Sequence, residues 1–412
     1  MAGRALHALL LPPAAGAGRL LDALAAALDG TGPAILPLDP GLPQARVADL
    51  LEAVSPDVVE TPEGARRWHP PAAAAGPAGS GAGLPADTAV VIATSGSTGE
   101  PKGAQLSAAA LVHSARASLR RLGASPGERW LCPLPTSHIA GLGVLVRSLV
   151  AGTAPVVTER LDPAQAGLGA LGCAYASLVP TQLRRMLDAG AELTALRAIL
   201  VGGAAVPAGL RAAARAAGAR VVTTYGMSET CGGCVYDGVP LDGVRVRTGD
   251  GGQIRIGGPV VFSGYRNRPG LTATALDDGW FVTSDVGWLD RDGHLAVHGR
   301  ADEMINTGGE KVAPAQVAAI LEACPGVREA VVFGEPDPEW GERVTAAVVP
   351  TEAAAPPRLA DLRAAVRQRM PAHAAPKALI LLPAIPLLPS GKPDRAALRG
   401  QAARLPQEPN TP

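Results

Sequence analysis

Ten consecutive residues offer the first chemistry: Thr94-Ser95-Gly96-Ser97-Thr98-Gly99-Glu100-Pro101-Lys102-Gly103. Their three glycines let the backbone approach a ligand closely. Four hydroxyls, on Thr94, Ser95, Ser97 and Thr98, can donate hydrogen bonds, and Lys102 adds a compact positive charge. Such a loop suits phosphate oxygens. It is not a P-loop, because no Gly-Lys-Ser/Thr follows at the required spacing. Taken by itself it also fits a solvated surface loop. The lysine stands out further because the 412-residue chain has only four: Lys102, Lys311, Lys377 and Lys392. Arginine carries nearly all the other positive charge, so a retained lysine marks a place where an ammonium, not a guanidinium, is wanted. Chance explains Lys377 equally well.

The elements that must hold this loop are legible as alternating patterns. Residues 88–93 (TAVVIA) form an apolar run of buried-strand length, directly before it. Residues 107–122 have apolar positions at helical spacing, with Ser107 as the N-cap. Strand-like pieces follow at 177–180, 198–201 and 221–226, separated by helices beginning at Thr181 and Pro207. Strands alternating with helices predict βαβ units and mostly parallel sheets in an α/β fold. After residue 240 the texture changes to short strands separated by Gly and Asp, a small β-rich subdomain. Beyond Gly299–Glu303 it changes again. Helices at 314–323 and 358–370 and strands at 327–334 and 343–349 predict a compact α+β unit. The expected division is a large N-terminal domain over 1–298, a hinge over 299–303 and a small mobile C-terminal domain over 304–412. Residues 71–86 read as a Pro/Gly/Ala linker, and the last dozen as a frayed tail.

Bulk composition narrows the function. Lys+Arg and Asp+Glu number 37 each, so there is no basic field to hold a nucleic acid. Hydrophobic residues make up 47%, but no apolar run reaches 18 residues, which predicts no membrane span. Residues 1–11 lack the cleavage pattern of a signal peptide. Five scattered cysteines in a chain this long predict a reducing, cytoplasmic setting.

The 94–103 segment resembles the signature loop of the adenylate-forming superfamily, which includes acyl- and aryl-CoA synthetases, luciferases and adenylation domains. The family's other motifs follow in order over residues 88–398. Tyr225-Gly226-Met227-Ser228-Glu229-Thr230 resembles its second nucleotide motif. The resemblance implies that Tyr225 gives a flat face to adenine, that Ser228 meets the α-phosphate or acyl carbonyl, and that Glu229, with Thr98, holds Mg²⁺. Gly226 and Met227 belong to the same nucleotide wall. Gly203 and Ala204, in a Gly-Gly-Ala-Ala run, would line the adenine pocket with backbone. Asp285, in Thr283-Ser284-Asp285, would bind both ribose hydroxyls. Arg300 would reach the ribose or phosphates, and Asp302 would be the hinge pivot. Gly308 and Gly309 would line a tunnel for CoA. Lys392, in Pro389-Ser390-Gly391-Lys392, would be the catalytic lysine, stabilising charge between the acid and the α-phosphate. The implied co-substrates and cofactor are ATP, CoA and Mg²⁺. Family members often carry a longer region before the phosphate loop, so part of the usual N-terminal subdomain is expected to be missing or compressed here.

The acid is read from residues 133–147, where this family lines its acyl pocket. His138 holds a gate-like position. Arg147 is unusual, because a fatty-acid pocket needs no guanidinium; a second carboxylate on the substrate could use one. An exposed helix arginine is the equally weighted alternative. Ser177 is a weaker candidate for the same pocket. Within the superfamily, the short front end and the segments SHIAGLGVLVRSLVAG, ASLVPTQLRRML and MSETCGGCVYDGVPLDGV resemble the o-succinylbenzoate–CoA ligases of menaquinone biosynthesis. Alternatives are another small aryl- or acyl-CoA synthetase, an enzyme loading a carrier protein, or a binding protein without chemistry. Cys231 and Cys234 form a CxxC with no second ligand pair nearby, and read as small pocket-lining residues rather than a redox or zinc site. Gly141-Leu142-Gly143 lacks the third glycine of a dinucleotide fingerprint. Asp57 and Glu60 show no partner in the sequence and read as solvated. The oligomeric state is not fixed by sequence, and a homodimer is compatible with it.

The motif order generates a kinetic expectation. Lys392→Ala should abolish acyl-adenylate formation while leaving thioester formation from supplied acyl-adenylate largely intact. Single-turnover assays of the two half-reactions check this, and equal loss of both would rule out the role.

Overall fold

The computed structural model describes residues 3–69, 83–95, 100–159, 168–388 and 393–402. Strand pairing among these residues builds four sheets. The first runs Gly264–Tyr265, Pro101–Ser107, Thr88–Ser95, Ala34–Leu38, Leu6–Leu10, Val58–Thr61, Gly64–Arg67. Its centre is parallel, with Leu6–Leu10 between Ala34–Leu38 and Val58–Thr61, and its edges are antiparallel. The second runs Val239–Pro240, Gly232–Tyr236, Val221–Met227, Ala198–Val201, Cys173–Leu178, Arg129–Cys132, Val156–Val157, again with a parallel centre. The expected βαβ pattern is present in both.

Period-two alternation decides which face each strand shows to which core. Val90 and Ile92 enter the largest cluster, while Val91 between them enters a different one. Ala198 and Leu200 likewise face inward, and Ile199 and Val201 face the opposite side. The largest cluster combines Ile35 and Ile92 of the first sheet with Trp130, Tyr175 and Leu200 of the second. Between them lie Leu24, Leu111 and Leu145, from helices Ala17–Leu28, Ala108–Leu122 and Ile139–Val150. Three helices therefore sit between two sheets. Ser107 caps Ala108–Leu122 as expected, accepting from Ala110 N at 3.1 Å, and Gly123 ends the helix in the left-handed region.

The first ninety residues are a working part of this architecture. Arg4 donates to the carbonyls of Ala27, Gly32 and Thr88, fastening the N-terminal strand to its neighbours. Asp57 and Glu60 have partners, which corrects their reading as solvated. Asp57 Oδ2 accepts from Leu6 N at 2.7 Å, and Glu60 takes a two-pronged bond from Arg19 at 2.7 Å. The second sheet also trims one expectation. Cys173–Leu178 stops before Pro180, because Pro180 opens the helix Pro180–Asp188.

The third sheet (Arg245–Thr248, Gln253–Gly257, Trp280–Leu289, Leu276–Asp277, Leu295–Arg300) forms the β-rich unit seen in the sequence. A short turn, Ala301–Glu303, leads to the fourth sheet, built on Ile305–Thr307, Glu310–Val312, Val327–Asp337, Gly341–Pro350 and Ala378–Leu381. Alternation again gives this sheet two faces: Ala346 and Val348 meet helices Pro314–Glu322 and Leu359–Arg367, whereas Ala347 and Val349 meet Leu398 of Arg395–Ala402. No helix of the described residues is long and apolar enough to cross a membrane.

One contact between the second and fourth sheets' layers carries titratable charge. Arg184 Nε lies 3.5 Å from Glu329 Oε1, and both electrostatically influence Glu322. Burial outweighs the bond from Ala330 N and the pull of Arg184, and pushes the Glu322 carboxyl up to about 7. Folded protein therefore keeps a proton there that the unfolded chain releases near 4.5. Stability from this group is complete below that value and is lost as pH rises through about 7. Urea denaturation at pH 5 and pH 8 should show stability lower at pH 8, and Glu322→Gln should flatten that slope. An unchanged slope in the variant would place the pH dependence elsewhere.

Candidate active site

The expected phosphate loop is more strand than loop at its ends. Thr88–Ser95 and Pro101–Ser107 pair antiparallel, with Thr94 opposite Lys102 and Ser95 opposite Pro101. Lys102 thus projects from a strand, a more rigid base than the sequence suggested. Gly96, Ser97, Thr98 and Gly99 lie outside the described residues, as does Lys392.

Lys102 meets Glu229 across 127 residues of sequence, a contact the motifs by themselves did not specify. Nζ is 3.5 Å from Glu229 Oε1. A third residue joins them that sequence reasoning missed. Tyr265 donates its hydroxyl to Glu229 Oε1 at 2.7 Å and accepts from Lys102 Nζ at 2.9 Å. The ammonium also lies over its ring, 4.2 Å from the centroid. Glu229 is 7% exposed, so this carboxylate sits in a low-dielectric setting, held by one hydrogen bond from Tyr265 and a looser ion contact with Lys102. Among the described residues those contacts use Oε1 and leave Oε2 without a hydrogen bond. An anchored carboxylate whose second oxygen meets no donor among the described residues is a fitting ligand for a hard divalent cation.

The strand Val221–Met227 delivers Tyr225, and the turn Ser228–Thr230 delivers Ser228 and Glu229. Thr230 fixes that turn: its hydroxyl accepts from Met227 N at 2.9 Å and donates to Gly232 O at 2.9 Å. Gly226 is required by close approach, since a Cβ there would sit 2.0 Å from Gly232 O. Ahead of this strand, Gly203 has φ of +82° and is solvent-facing with Ala204, at the end of Ala198–Val201. Their exposed backbone lies one strand away from Tyr225.

Tyr225 and Asp285 are directly bonded. The phenol donates to Asp285 Oδ2 at 2.7 Å. Burial raises the Asp285 carboxyl above its usual range, against the lowering influence of that bond and of Arg300. Burial and the carboxylate together keep Tyr225 protonated. Asp285 Oδ1 lies 3.9 Å from Arg300, its register partner on the next strand. Arg300 in turn makes a two-pronged bond to Asp302 at 2.9 and 2.8 Å. Candidate ribose, phosphate and hinge residues are thus linked in one chain: Tyr225, Asp285, Arg300, Asp302.

Arg147 is half-buried on the inner helix Ile139–Val150, not displayed on a surface. It donates to Ser177 Oγ at 2.9 Å and stacks on Trp130 at 4.4 Å. Gly143, one turn earlier, faces the guanidinium: a Cβ there would lie 3.4 Å from its terminal nitrogen, within ordinary contact. Among the described residues no carboxylate pairs with Arg147, and its Nε is buried without a partner. Burial lowers its pKa, with Tyr236 and Cys132 as its electrostatic neighbours. His138 is exposed at the start of the same helix. Cys231 and Cys234 are buried thiols whose pKa values burial raises, to about 12 at Cys234. No group of three potential metal-ligating His, Cys, Asp or Glu side chains occurs among the described residues.

Gly308 and Gly309 form the two-residue turn between Ile305–Thr307 and Glu310–Val312, with φ of +62° and +84°. Two consecutive positive φ values are what this hairpin turn demands. Gly308 also packs against the Trp340 indole.

A sequence model of the AMP-binding enzyme family matches residues 23–266, and one of the AMP-binding enzyme C-terminal domain matches residues 316–392. The chain belongs to the AMP-binding enzyme family. It is 50% identical over 326 residues to a probable 2-succinylbenzoate–CoA ligase of Mycobacterium tuberculosis, covering 76% of this chain and 84% of that one. Among solved structures it is similar to the o-succinylbenzoate CoA synthetase MenE of Bacillus subtilis in complex with the acyl-adenylate OSB-AMP. There the TM-score is 0.79 and the identity 26%, covering 98% of this chain and 89% of that one. The same enzyme with ATP and magnesium ion gives a TM-score of 0.78 and 26% identity, covering 97% and 90%. The mixed α/β fold, with its large N-terminal part and small C-terminal part, is the fold of these AMP-binding enzymes.

The close approach at Gly226 sets a structural test. Gly226→Ala should lower stability by about 2 kcal/mol or more, because a methyl group there must push apart two paired strands. Chemical denaturation measures it; a midpoint equal to wild type would show that the strands yield without cost.

Proposed function

We propose that this chain is an ATP-dependent, AMP-forming 2-succinylbenzoate–CoA ligase. The observation that carries the substrate assignment is Arg147, a half-buried guanidinium with no carboxylate partner among the described residues. Burying an unpaired charge is costly, and an anionic group on the substrate would relieve that cost. A dicarboxylic aryl acid supplies one carboxylate for activation and a second for recognition. The names of the M. tuberculosis and B. subtilis relatives support the same substrate.

In this reading the activated carboxylate attacks the α-phosphorus of ATP, the bond to the leaving pyrophosphate breaks, and the acyl-adenylate forms. Lys392 offsets the negative charge that builds between acid and α-phosphate. Lys102 and the 94–99 segment hold the phosphates. Tyr225, Gly226, Met227, Gly203 and Ala204 form the adenine wall, Asp285 takes the ribose hydroxyls, and Arg300 reaches ribose or phosphate. Glu229, with Thr98, would hold Mg²⁺, which supplies charge neutralisation at the departing pyrophosphate. Arg147, Ser177 and His138 line the acid pocket. The part from residue 304 onward then turns about Asp302, so that the Gly308–Gly309 turn lines the entry of CoA. Its sulfur attacks the acyl carbon, and AMP leaves with the former carboxylate oxygen. Moving one domain lets one site serve both steps. Five cysteines free of disulfides support a cytoplasmic setting. A homodimer is compatible with this reading, and light scattering in solution decides it.

The decisive assay is CoA-thioester formation with ATP, CoA and o-succinylbenzoate, benzoate, succinate or a medium-chain fatty acid. Selective turnover of o-succinylbenzoate is expected. Arg147→Met should lower kcat/KM for that acid about a hundredfold, from loss of a charge-assisted pair of ~2–3 kcal/mol. Turnover of fatty acids without o-succinylbenzoate would overturn the assignment. Acid-dependent pyrophosphate exchange without any CoA thioester would favour carrier-protein loading instead.

A further inference from the structure

The segment 262–266 is built as a clasp between two parts of the site. Phe262 N donates to Glu229 O at 2.9 Å. Ser263 N donates to Gln105 O at 2.9 Å, and Arg266 N to Gly103 O at 2.8 Å. One side of the clasp therefore holds the turn bearing Glu229, and the other holds the strand bearing Lys102. Tyr265 stands between those attachments. Its own N–H donates to Thr272 Oγ1 at 2.8 Å, its ring packs edge-on against Phe262 at 4.7 Å, and it is 5% exposed. Its side chain has little freedom to leave.

The hydroxyl's direction is fixed by its neighbours' chemistry. An ammonium can only donate and a carboxylate only accept, so Lys102 donates to Tyr265 and Tyr265 donates to Glu229. We propose that Tyr265 is a positioning residue that keeps Lys102 from closing onto Glu229, so that the carboxylate stays available to a divalent cation and the ammonium to phosphate. Nζ and Oε1 are 3.5 Å apart, beyond a full-strength charge-assisted bond. Without the hydroxyl they would close that gap and neutralise each other. The inference rests on the phosphate and cation roles given above to Lys102 and Glu229. It adds to them a residue outside the motifs that suggested those roles.

The test is Mn²⁺ binding to the full-length protein saturated with ATP, read from the electron paramagnetic resonance of free Mn²⁺ and independent of turnover. Tyr265→Phe keeps the ring and removes only the hydroxyl. It should raise the Mn²⁺ dissociation constant about tenfold, the scale of one buried hydrogen bond to a charged group, with a thermal midpoint close to wild type. In a Lys102→Met background the same change should have little further effect, because the competing ammonium is gone. Unchanged Mn²⁺ affinity in Tyr265→Phe would overturn the proposal. So would an equal loss in both backgrounds, which is what simple packing damage produces. If Glu229→Gln leaves Mn²⁺ binding at the wild-type value, the cation site itself is misassigned and the positioning role falls with it. That result is distinguishable from failure of Tyr265 alone.

Discussion

The site depends on one constraint: two charged side chains from separate sheets must be brought close without cancelling each other. Lys102 comes from the first sheet and Glu229 from the turn that ends a strand of the second. In water such a pair would be worth little. Here both are largely withdrawn from solvent, so their separation matters energetically. The backbone bonds of 262–266 set that separation, and the Tyr265 hydroxyl occupies it. The helices between the sheets then act as the spacer that fixes where the two strand ends arrive. Packing of Leu24, Leu111 and Leu145 is remote from the chemistry, yet it sets the platform on which the chemistry stands.

The same logic recurs at the other polar positions of the site. Asp285 has one oxygen bonded to a neutral phenol and the other facing a guanidinium at 3.9 Å. Arg147 has a hydroxyl and an indole face for company. In each case the protein supplies neutral or shared partners and leaves hydrogen-bonding or charge capacity for a ligand to complete. Structural ion pairs elsewhere in the molecule differ: Arg19 and Glu60 satisfy each other completely, in two parallel bonds. An incompletely compensated buried charge is costly to a folded chain, which is why such groups mark places where a ligand completes the set.

The contiguous motifs were legible in the sequence because their chemistry is local. A strand followed by hydroxyls, glycines and a lysine reads as an anion site from order alone, and short apolar runs between helical stretches identified the strands at 88–93, 198–201 and 221–226. Tyr265 was not legible. It lies 36 residues from Glu229 and 163 from Lys102, in a segment whose composition announces nothing. A Gly-Tyr pair at a two-residue edge strand looks like a turn until the pairing to 101–107 is known. The bond from Tyr225 to Asp285 was hidden likewise, since sequence assigned each a ligand and neither a partner. The partners of Asp57 and Glu60 were missed because a backbone N–H at a neighbouring parallel strand and a guanidinium on the helix Ala17–Leu28 leave no spacing signal. At Arg147 sequence left buried and exposed placements equally open, and only the fold, through Trp130 and Ser177, chose between them.

The junction with the fourth sheet follows a different rule from the rigid core around Tyr265. The chain crosses in one short turn, Ala301–Glu303, where Arg300 grips Asp302 and Arg395 bonds Glu303 at 2.7 Å. Across the layers, Arg184 and Glu329 form a partly buried ion pair at 3.5 Å. Contacts of this kind contribute on the order of 1 kcal/mol or less when solvent reaches them. The fourth sheet meanwhile carries its own apolar clusters on both faces, so its integrity does not depend on the junction. The proposed two-step chemistry asks such a unit to reorient about the turn without unfolding, and its own apolar clusters are suited to that. In the proposed chemistry the rigid clasp and this junction are complementary. Phosphate and cation groups must hold still while charge moves, whereas the groups that alternate between activation and transfer must be free to leave.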